Sequence, residues 1–505
     1  MNDNVRTIYQ SLVEKLEEKS RLAGIRGIMS WDQEVIMPNG AVDSRANQLS
    51  VLAGVIHEKA TNPLIGEYVE KLISSDKSKF DNFEWCNIKE AKRDYDMKTQ
   101  VPKALVQELA ELSSRGHEIW IKAREKNKFK DFAPVLKQFV KLKKQWANCI
   151  DPHQDPYDVN IDQSERGTTK AQLDPLFDKL KADLIPLIKA IKESTHQVDI
   201  SFLKGEFPIK DQKKLGQRIS REIGFSFDRG RMDVSVHPFC GGGHPTDVRI
   251  TTRYRTDTFV ESLYGIIHET GHGLYEQGRM VRGIDLPVSE PLTMGIHESQ
   301  SLFWERMIAQ SYGFCKHYLE IFAEVFAGLK GVSIQAFYEA INVSHPSFIR
   351  VEADEVTYPL HIILRYEVEK KLFDESLAVD DLPAFWNDKM EEYLGIRPPT
   401  DTLGVLQDIH WSDGSFGYFP SYTLGAMYAC QFYSALKRQV PDVEQQIEQG
   451  NFSNIKDWLN QNIHSQGMLY GTDELVRRVT GEPLNPLLFV NYLKNKYRDI
   501  YRLDI

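Results

Sequence analysis

The chain has 505 residues, of which 41% are hydrophobic and 27% are charged, so it can bury a large core. A formal net charge of -10 argues against a general binder of nucleic acid or of anionic membranes. No apolar run approaches the roughly 20 residues that cross a bilayer, and no secretory signal is visible near Met1. The five cysteines are scattered and never form a C-x-x-C pair, which favours a reducing, cytoplasmic compartment.

Helical periodicity dominates the chain. In three well-separated stretches apolar residues recur every three or four positions, with charged residues between them. They are Ile8, Leu12 and Leu16, then Leu136, Phe139, Val140 and Trp146, then Leu173, Phe177, Leu180, Leu184 and Ile188. This pattern predicts a mainly α fold.

One segment, from Arg231 to Arg255, alternates instead like β-strands. Met232–Val236 and Val248–Tyr254 are the alternating stretches, and they flank the glycine-rich segment Cys240–Pro245. We therefore expect a β-hairpin here. Because extended peptides often dock by adding a strand to an exposed edge, this hairpin is a candidate wall of a binding cleft.

The next helix carries the most informative motif of the chain. Apolar residues at helical spacing run from Thr258 to Ile267 and lead into His268-Glu269-Thr270-Gly271-His272. Two histidines four residues apart on a helix can bind one divalent metal, and the glutamate between them can act as a general base. The alternative, two core histidines satisfied by hydrogen bonds, leaves their pairing with Glu269 unexplained.

Glycine is unusual beside candidate ligands in a helix. Gly271 and Gly273 each cost about 1 kcal/mol relative to alanine in a helix interior. Their presence predicts that something passes close to the helix backbone, and a substrate chain would fit.

A catalytic zinc needs a third protein ligand. Tyr275 and Gly278 exclude the extended metzincin motif. Glu276 lies one turn beyond His272 and is expected to be too far along the helix axis.

Two later glutamates remain as the third ligand. Glu290 lies in a proline-flanked loop, where water can solvate it. Glu298 lies in a second buried helix that we predict from Gly295 to Gln310. We favour Glu298, because a buried carboxylate needs a partner such as a metal.

These motifs together resemble the carboxypeptidase Taq family of metal-dependent carboxypeptidases, the relatives of thermostable carboxypeptidase 1. The resemblance covers nearly the whole chain, and its motifs occur in the family's order. Besides His268–His272 they are Ser30–Pro38, His237-Pro238-Phe239, Asp247–Thr251, His297-Glu298-Ser299-Gln300, Ile349–Asp354 and Gly404–Trp411.

The resemblance implies a large helical metallopeptidase with a deep substrate cleft between two lobes and a small β-hairpin or sheet beside the metal site. Residues 1–505 would form a single catalytic domain, with the metal site in 237–300 and further cleft residues in 349–422. It also implies a homodimer with one divalent metal per subunit, zinc or cobalt. Such an enzyme removes single residues from peptide C-termini with broad preference and generally spares proline.

Hydrolysis also needs groups that stabilise the oxyanion and bind the substrate. His410, Tyr418 and Tyr422 are candidate donors to the oxyanion, because a phenol or an imidazole can donate to developing charge in a dry cleft. Each of them could equally be a packed amphipathic side chain.

A carboxypeptidase must bind a terminal carboxylate, which suits the bidentate donors of arginine. Arg350 and Arg249 are the candidates, chiefly because they lie in the family-like segments. The alternative is an internal ion pair, of Arg350 with Asp354 or of Arg249 with Asp247. By resemblance alone, His237 would line the same cleft.

Two other functions stay open at this point. One is an endo-acting oligopeptidase with the same metal chemistry, in which the arginines serve only structure. The other is a catalytically silent helical scaffold with a structural metal, although such a site has no use for Glu269 as a base.

Overall fold

A computed structural model describes residues 2–504 of the chain. Within this range the chain forms twenty α-helices, a π-helical segment at Phe303–Ala309 and several short 3-10 turns. The helices are α1 (Asn2–Val35), α2 (Val42–Ala60), α3 (Pro63–Ile73), α4 (Asn82–Thr99), α5 (Lys103–Glu125), α6 (Phe129–Ile150), α7 (Pro156–Ile161), α8 (Lys170–Glu193), α9 (Ile209–Glu222), α10 (Val260–Gln277), α11 (Met294–Leu302), α12 (Tyr312–Val325), α13 (Ile334–Ile341), α14 (Tyr358–Phe373), α15 (Leu382–Leu394), α16 (Pro420–Gln439), α17 (Val443–Glu448), α18 (Ser453–Asn462), α19 (Thr472–Thr480) and α20 (Pro486–Tyr501). The strands are β1 (Gly230–Val234), β2 (Cys240–His244) and β3 (Asp247–Thr252).

The predicted mainly α fold is confirmed. The three periodic stretches lie in α1, α6 and α8, and their residues Leu12, Leu136 and Leu180 are fully buried. Among the helices of residues 2–504, none combines the length and the apolar character needed to span a bilayer.

The predicted β-hairpin is wrong in its pairing. Strands β1 and β3, which correspond to the two alternating stretches, run parallel, with Gly230 opposite Val248. The hairpin partner of β3 is β2, which was expected to be the turn and pairs antiparallel with Gly241 opposite Arg249. Three of the five residues of β2 are glycines, so this strand has almost no side-chain alternation to reveal it.

The same glycines allow the long helix α1 to cross the sheet at close range. A Cβ atom on Gly24 or Gly27 of α1 would collide with the backbone of Gly243 or Gly242. Glycine at both surfaces thus permits backbone contact between helix and strand.

The buried apolar residues form two clusters. The larger one runs from Leu112 to Tyr501 and contains the helices around the candidate site. The smaller one joins residues between Tyr9 and Ala91 to Leu286 and Val288. Helix α10 packs on α9, α11 and strand β3, and α11 packs in turn on α16.

Candidate metal and active site

Two neighbouring helices bring the three candidate metal-binding side chains together. His268 and His272 lie on α10, and Glu298 lies on α11. Glu298 Oε2 is 3.7 Å from His268 Nε2 and 3.3 Å from His272 Nε2, and the three ligand atoms all lie within 4.8 Å of one another. Ligands about 2.0–2.2 Å from a tetrahedral zinc are separated by roughly 3.3–3.5 Å, so this donor set fits a divalent cation.

Close packing of α11 sets these distances. A Cβ atom on Gly271 would lie 2.6 Å from the Gln300 carbonyl oxygen and 2.7 Å from Ser301 Cα, both on α11. On the other side of α11, a Cβ atom on Gly425 of α16 would lie 2.7 Å from Glu298 Cγ. The group that passes close to Gly271 is therefore the neighbouring helix. The sequence-based expectation of a substrate chain at this position is wrong. At Gly273 the neighbour is the Phe225 ring.

The start of α11 is fixed by two side chains. The Thr293 hydroxyl accepts a hydrogen bond from Ile296 N at 3.2 Å, and the buried carboxylate of Glu165 accepts one from Gly295 N. Both satisfy backbone donors of the first helical turn. The predicted helix from Gly295 to Gln310 is largely confirmed, but beyond Leu302 it continues as the π-helical segment.

Each histidine is oriented by a hydrogen bond on its other ring nitrogen. His268 Nδ1 lies 2.7 Å from Glu305 Oε2, and His272 Nδ1 lies 2.6 Å from His297 Nδ1. His297 Nε2 lies 2.9 Å from Glu276 Oε1. When His297 Nε2 donates to Glu276, His297 Nδ1 is free to accept a hydrogen bond from His272 Nδ1. His268 Nδ1 likewise donates to Glu305. In both His268 and His272 the lone pair on Nε2 is then available to a metal.

The two candidate histidine ligands have opposite electrostatic surroundings. Burial lowers the pKa of His272 to about 4, so its imidazole is neutral. Although burial opposes the shift, the carboxylates of Glu298 and Glu305 raise the pKa of His268 to about 10. A divalent cation competes with that proton for the same nitrogen.

Glu269 is placed differently from the three ligand residues. Its side chain is 7% exposed and lines the cavity next to them. Among residues 2–504 it has no hydrogen-bond or ion-pair partner. Burial raises the pKa of the Glu269 carboxyl to about 7, which suits a group that must accept and release a proton near neutral pH.

The ligand cluster opens into a cavity of about 880 Å³. Arg350, Tyr418 and Tyr422 also line this cavity, together with Pro238 and Phe239 from the segment before β2. Arg350 does not pair with Asp354, the partner considered in the sequence. Its Nε donates to Asp408 Oδ1 at 2.9 Å, and its Nη1 donates to the Tyr358 hydroxyl at 3.0 Å.

Asp408 is shared by two arginines. Arg365 Nε donates to Asp408 Oδ2 at 2.6 Å while Arg350 occupies Oδ1. All three side chains are buried. Two positive charges on one carboxylate leave a net positive charge, and Arg350 presents it to the cavity.

The remaining predicted residues lie outside the lining of this cavity. Arg249 on β3 forms two hydrogen bonds with Asp247, at 2.9 and 2.8 Å, and its guanidinium lies over the Trp31 ring. His237 is exposed in the connection before β2, next to the lining residue Pro238. His410 lies behind the cavity wall, with Nε2 3.5 Å from the Tyr422 hydroxyl.

The family model for the carboxypeptidase Taq (M32) metallopeptidases matches residues 11–497. The chain belongs to this family. The resemblance seen in the sequence motifs is thus confirmed, and the protein is a metal-dependent carboxypeptidase, a peptide hydrolase that uses a divalent metal.

Several named carboxypeptidases are similar to this chain over almost their full length. Carboxypeptidase 1 of Bacillus subtilis is 38% identical over 505 residues, 99% of this chain and 100% of its own. Thermostable carboxypeptidase 1 of Thermus thermophilus is 37% identical over 98% of this chain and 99% of its own. The crystal structure of the M32 carboxypeptidase from Deinococcus radiodurans has a TM-score of 0.96 and 34% identity, over 98% of this chain and 100% of that one.

Sequence reasoning missed the residues that support this carboxypeptidase site from behind. Glu305 lies seven residues after Glu298, about two helical turns away, and this spacing could have placed it on the same face. Glu276 was considered only as a third metal ligand, and His297 only as the neighbour of Glu298 in its motif. No local signal links Asp408 to Arg350, because the two are 58 residues apart.

Proposed function

We propose that this carboxypeptidase hydrolyses the last peptide bond of its substrate at the cluster of His268, His272 and Glu298, with Glu269 as the general base. The convergence of three ligand atoms beside an unpartnered glutamate in one cavity carries this proposal. A divalent cation supplies Lewis-acid chemistry there, since it polarises the scissile carbonyl and makes a water molecule more acidic. We propose zinc, with cobalt as an accepted substitute, because both accept two histidines and a glutamate.

Glu269 moves the proton that hydrolysis requires. Its carboxylate accepts a proton from the attacking water as the new C–O bond forms. It then delivers this proton to the leaving amide nitrogen as the C–N bond breaks. A carboxyl with a pKa near 7 can perform both transfers at neutral pH.

The two cavity tyrosines are the proposed donors to the oxyanion. Burial raises the pKa of Tyr418 to about 12 and that of Tyr422 still further, so both keep their hydroxyl protons. Because both line the cavity, they can donate to negative charge that develops on the carbonyl oxygen. His410 supports Tyr422 from behind.

Arg350 is the proposed site for the terminal carboxylate. Its Nε and Nη1 are held by Asp408 and Tyr358, which fixes the plane of the guanidinium. Its Nη2 has no hydrogen-bond partner in the described part of the chain, so it remains available to a ligand. A charged donor held rigidly at a cavity wall suits a group that every peptide C-terminus carries. We assign no contact with substrate to Arg249 or His237.

Two peptides of the same sequence test this function, one with a free C-terminus and one with a C-terminal amide. Time-resolved mass spectrometry should show successive loss of C-terminal residues from the free peptide only, because Arg350 cannot bind an amide as it binds a carboxylate. A chelator should stop the reaction and added zinc should restore it. Cleavage of both peptides at equal rates would contradict the proposal.

Substrate preference is proposed to be broad at the C-terminal residue, with proline spared. Apolar, acidic and basic side chains all line the cavity, which supports broad acceptance. The exclusion of proline rests on the motif resemblance. A peptide series that differs only in its last residue would measure both.

We further propose that the enzyme is a homodimer that uses the outer face of α2. This helix packs on α1, and Ala60 is its only buried residue. Val51 is 70% exposed, and Val42 and Val55 are also exposed, so the helix presents apolar surface that a second copy could cover. Light scattering should give a dimer mass for the wild type and a monomer mass for Val51→Glu. A monomeric wild type would contradict this.

The remaining proposals concern the setting of the enzyme. We propose that residues 1–505 act as one catalytic domain, because Leu286 and Val288 join the smaller apolar cluster to the segment between α10 and α11. We also propose a cytoplasmic location, supported by five cysteines that are all unpaired. Free cysteines predict a melting temperature that does not change when a reductant is added. A melting temperature lowered by reductant would contradict unpaired cysteines.

A further inference from the structure

Glu369 on α14 is a fully buried carboxylate outside the lining of the metal cavity. Among residues 2–504 no lysine, arginine or histidine side chain lies within ion-pair distance of it. Its partners are three neutral donors. Trp411 Nε1 donates to Oε1 at 2.8 Å, and Gly417 N and the Tyr157 hydroxyl each donate to Oε2 at 2.9 Å.

A charged carboxylate without a cation is costly in the interior of a protein. Burial raises the pKa of the Glu369 carboxyl to about 7, although the three hydrogen bonds oppose this shift. An ionised carboxylate accepts on both oxygens and has no hydrogen of its own, so it can satisfy all three donors. Glutamine has one accepting oxygen, and its NH2 group would face at least one of these donors. The three donors therefore indicate what Glu369 holds in place.

The donors lie at the two ends of one loop and on the helix next to it. Trp411 and Gly417 bound the loop 411–417, and Tyr157 belongs to α7. One carboxylate thus ties both ends of the loop to α7 and α14. The end at Gly417 is also packed tightly, because φ is +77° there and a Cβ atom would lie 2.5 Å from the Asn160 carbonyl carbon on α7.

Both ends of the loop 411–417 are adjacent to aromatic side chains of the active site. Tyr418 follows the loop directly and lines the metal cavity, while His410 precedes it. The ring centroids of His410 and Tyr418 are 5.6 Å apart, and those of Tyr418 and Tyr422 are 5.3 Å apart. A shift of the loop would therefore move Tyr418 relative to the metal ligands.

The two cavity tyrosines differ in how their backbone is held. Tyr422 lies within α16, whereas Tyr418 lies in irregular backbone before this helix begins at Pro420. A donor to an oxyanion must lie about 2.7–3.1 Å from the charged oxygen, and a displacement of about 1 Å can cost 100-fold in rate. The position of Tyr418 thus depends on the anchor of the preceding loop.

We propose that Glu369 is a positioning residue that holds the loop 411–417 in the conformation in which Tyr418 can donate to the oxyanion. It contacts neither the metal ligands nor the cavity and acts through Tyr418. This inference rests on the proposed function, because it takes Tyr418 as an oxyanion donor.

A double-mutant cycle of Glu369→Gln and Tyr418→Phe tests this role, with kcat expressed per bound zinc. Glu369→Gln should lower kcat by about 10- to 100-fold with a smaller change in KM and no change in zinc affinity. Tyr418→Phe should lower kcat by about 100-fold or more. Without the hydroxyl the position of the ring no longer affects the oxyanion, so the double variant should be no slower than Tyr418→Phe. The control is Glu339→Gln, a buried carboxylate on α13 outside the cavity lining, which should keep the wild-type kcat.

Multiplication of the two losses in the double variant would overturn the inference, because Glu369 would then act independently of Tyr418. If Glu369→Gln does not fold, Tyr157→Phe takes its place, since it removes one donor and keeps the carboxylate. Its smaller loss of kcat should also be absent in the Tyr418→Phe background, and a loss that persists there would overturn the inference. Failure of the proposed function is distinguishable, because Tyr418→Phe alone would then keep the wild-type kcat.

Discussion

The substitution Gly271→Ala tests whether the spacing of two helices sets the metal site. Its Cβ atom would lie 2.6 Å from the Gln300 carbonyl oxygen, whereas ordinary contacts of a Cβ atom begin at 3.4 Å. Relief of this clash requires α10 and α11 to separate by up to about 0.8 Å. Metal–ligand distances tolerate changes of only about 0.2 Å, so the separation would move Glu298 out of reach of a cation held by His268 and His272.

We expect zinc affinity to fall by about 10- to 100-fold, the range seen when support of metal ligands is lost. The free energy of unfolding of the metal-free protein should change less than the free energy of zinc binding. Overpacking costs about 1–3 kcal/mol, but alanine is about 1 kcal/mol more favourable than glycine in a helix, so the two effects partly cancel. Competition with a chromophoric chelator measures the affinity, and urea unfolding measures the stability. The control is Gly265→Ala on the same helix, whose Cβ atom would lie 3.9 Å from its nearest neighbour, Thr252 Oγ1. Equal zinc affinity of the two variants would refute the reasoning.

Three further changes address individual side chains. Glu269→Gln should retain zinc but lower kcat by about 100- to 10,000-fold, because it removes the general base. The control Glu261→Gln, on the same helix, should remain active. Undiminished turnover of Glu269→Gln would exclude the proposed role of Glu269. Glu305→Gln removes the anionic partner of His268 Nδ1 and should weaken zinc binding by about 10-fold or more in the same chelator assay, a loss that is absent if Glu305 only packs. Asp408→Asn leaves two buried arginines without their carboxylate and should cost about 3–5 kcal/mol in urea unfolding. Burial alone would raise the pKa of Asp408, but the two arginines hold it far below its ordinary value of about 3.9. The stability that the Asp408 carboxylate contributes to the fold is therefore complete above about pH 3.9 and is lost as the pH falls below that value. A stability difference between wild type and Asp408→Asn that grows on acidification would contradict this pH dependence.

The site shows how far local sequence patterns reach. The spacing of His268 and His272 was sufficient to place two imidazoles on one helix face, because the geometry of a helix is set by hydrogen bonds between residues four apart. The same argument predicted the helix that carries Glu298. It could not predict the outer partners, because the contact between His272 and His297 depends on how two helices pack.

Which of the two candidate arginines faces the cavity was beyond the sequence for the same reason. Arg350 and Arg249 are both arginines in family-like segments, yet Arg350 lines the cavity while Arg249 is held by Asp247 on the sheet. The order of the strands was equally hidden, since a strand of glycines carries no alternation.

The sequence by itself therefore determined the mainly α class, the two histidines and the glutamate between them, since each follows from periodicity within one element. Only the tertiary structure decided which acidic side chain meets those histidines, which arginine faces the cavity, and why glycine stands at position 271. These outcomes depend on distances between helices, and such distances are fixed by side chains, or by their absence, on elements far apart in the chain.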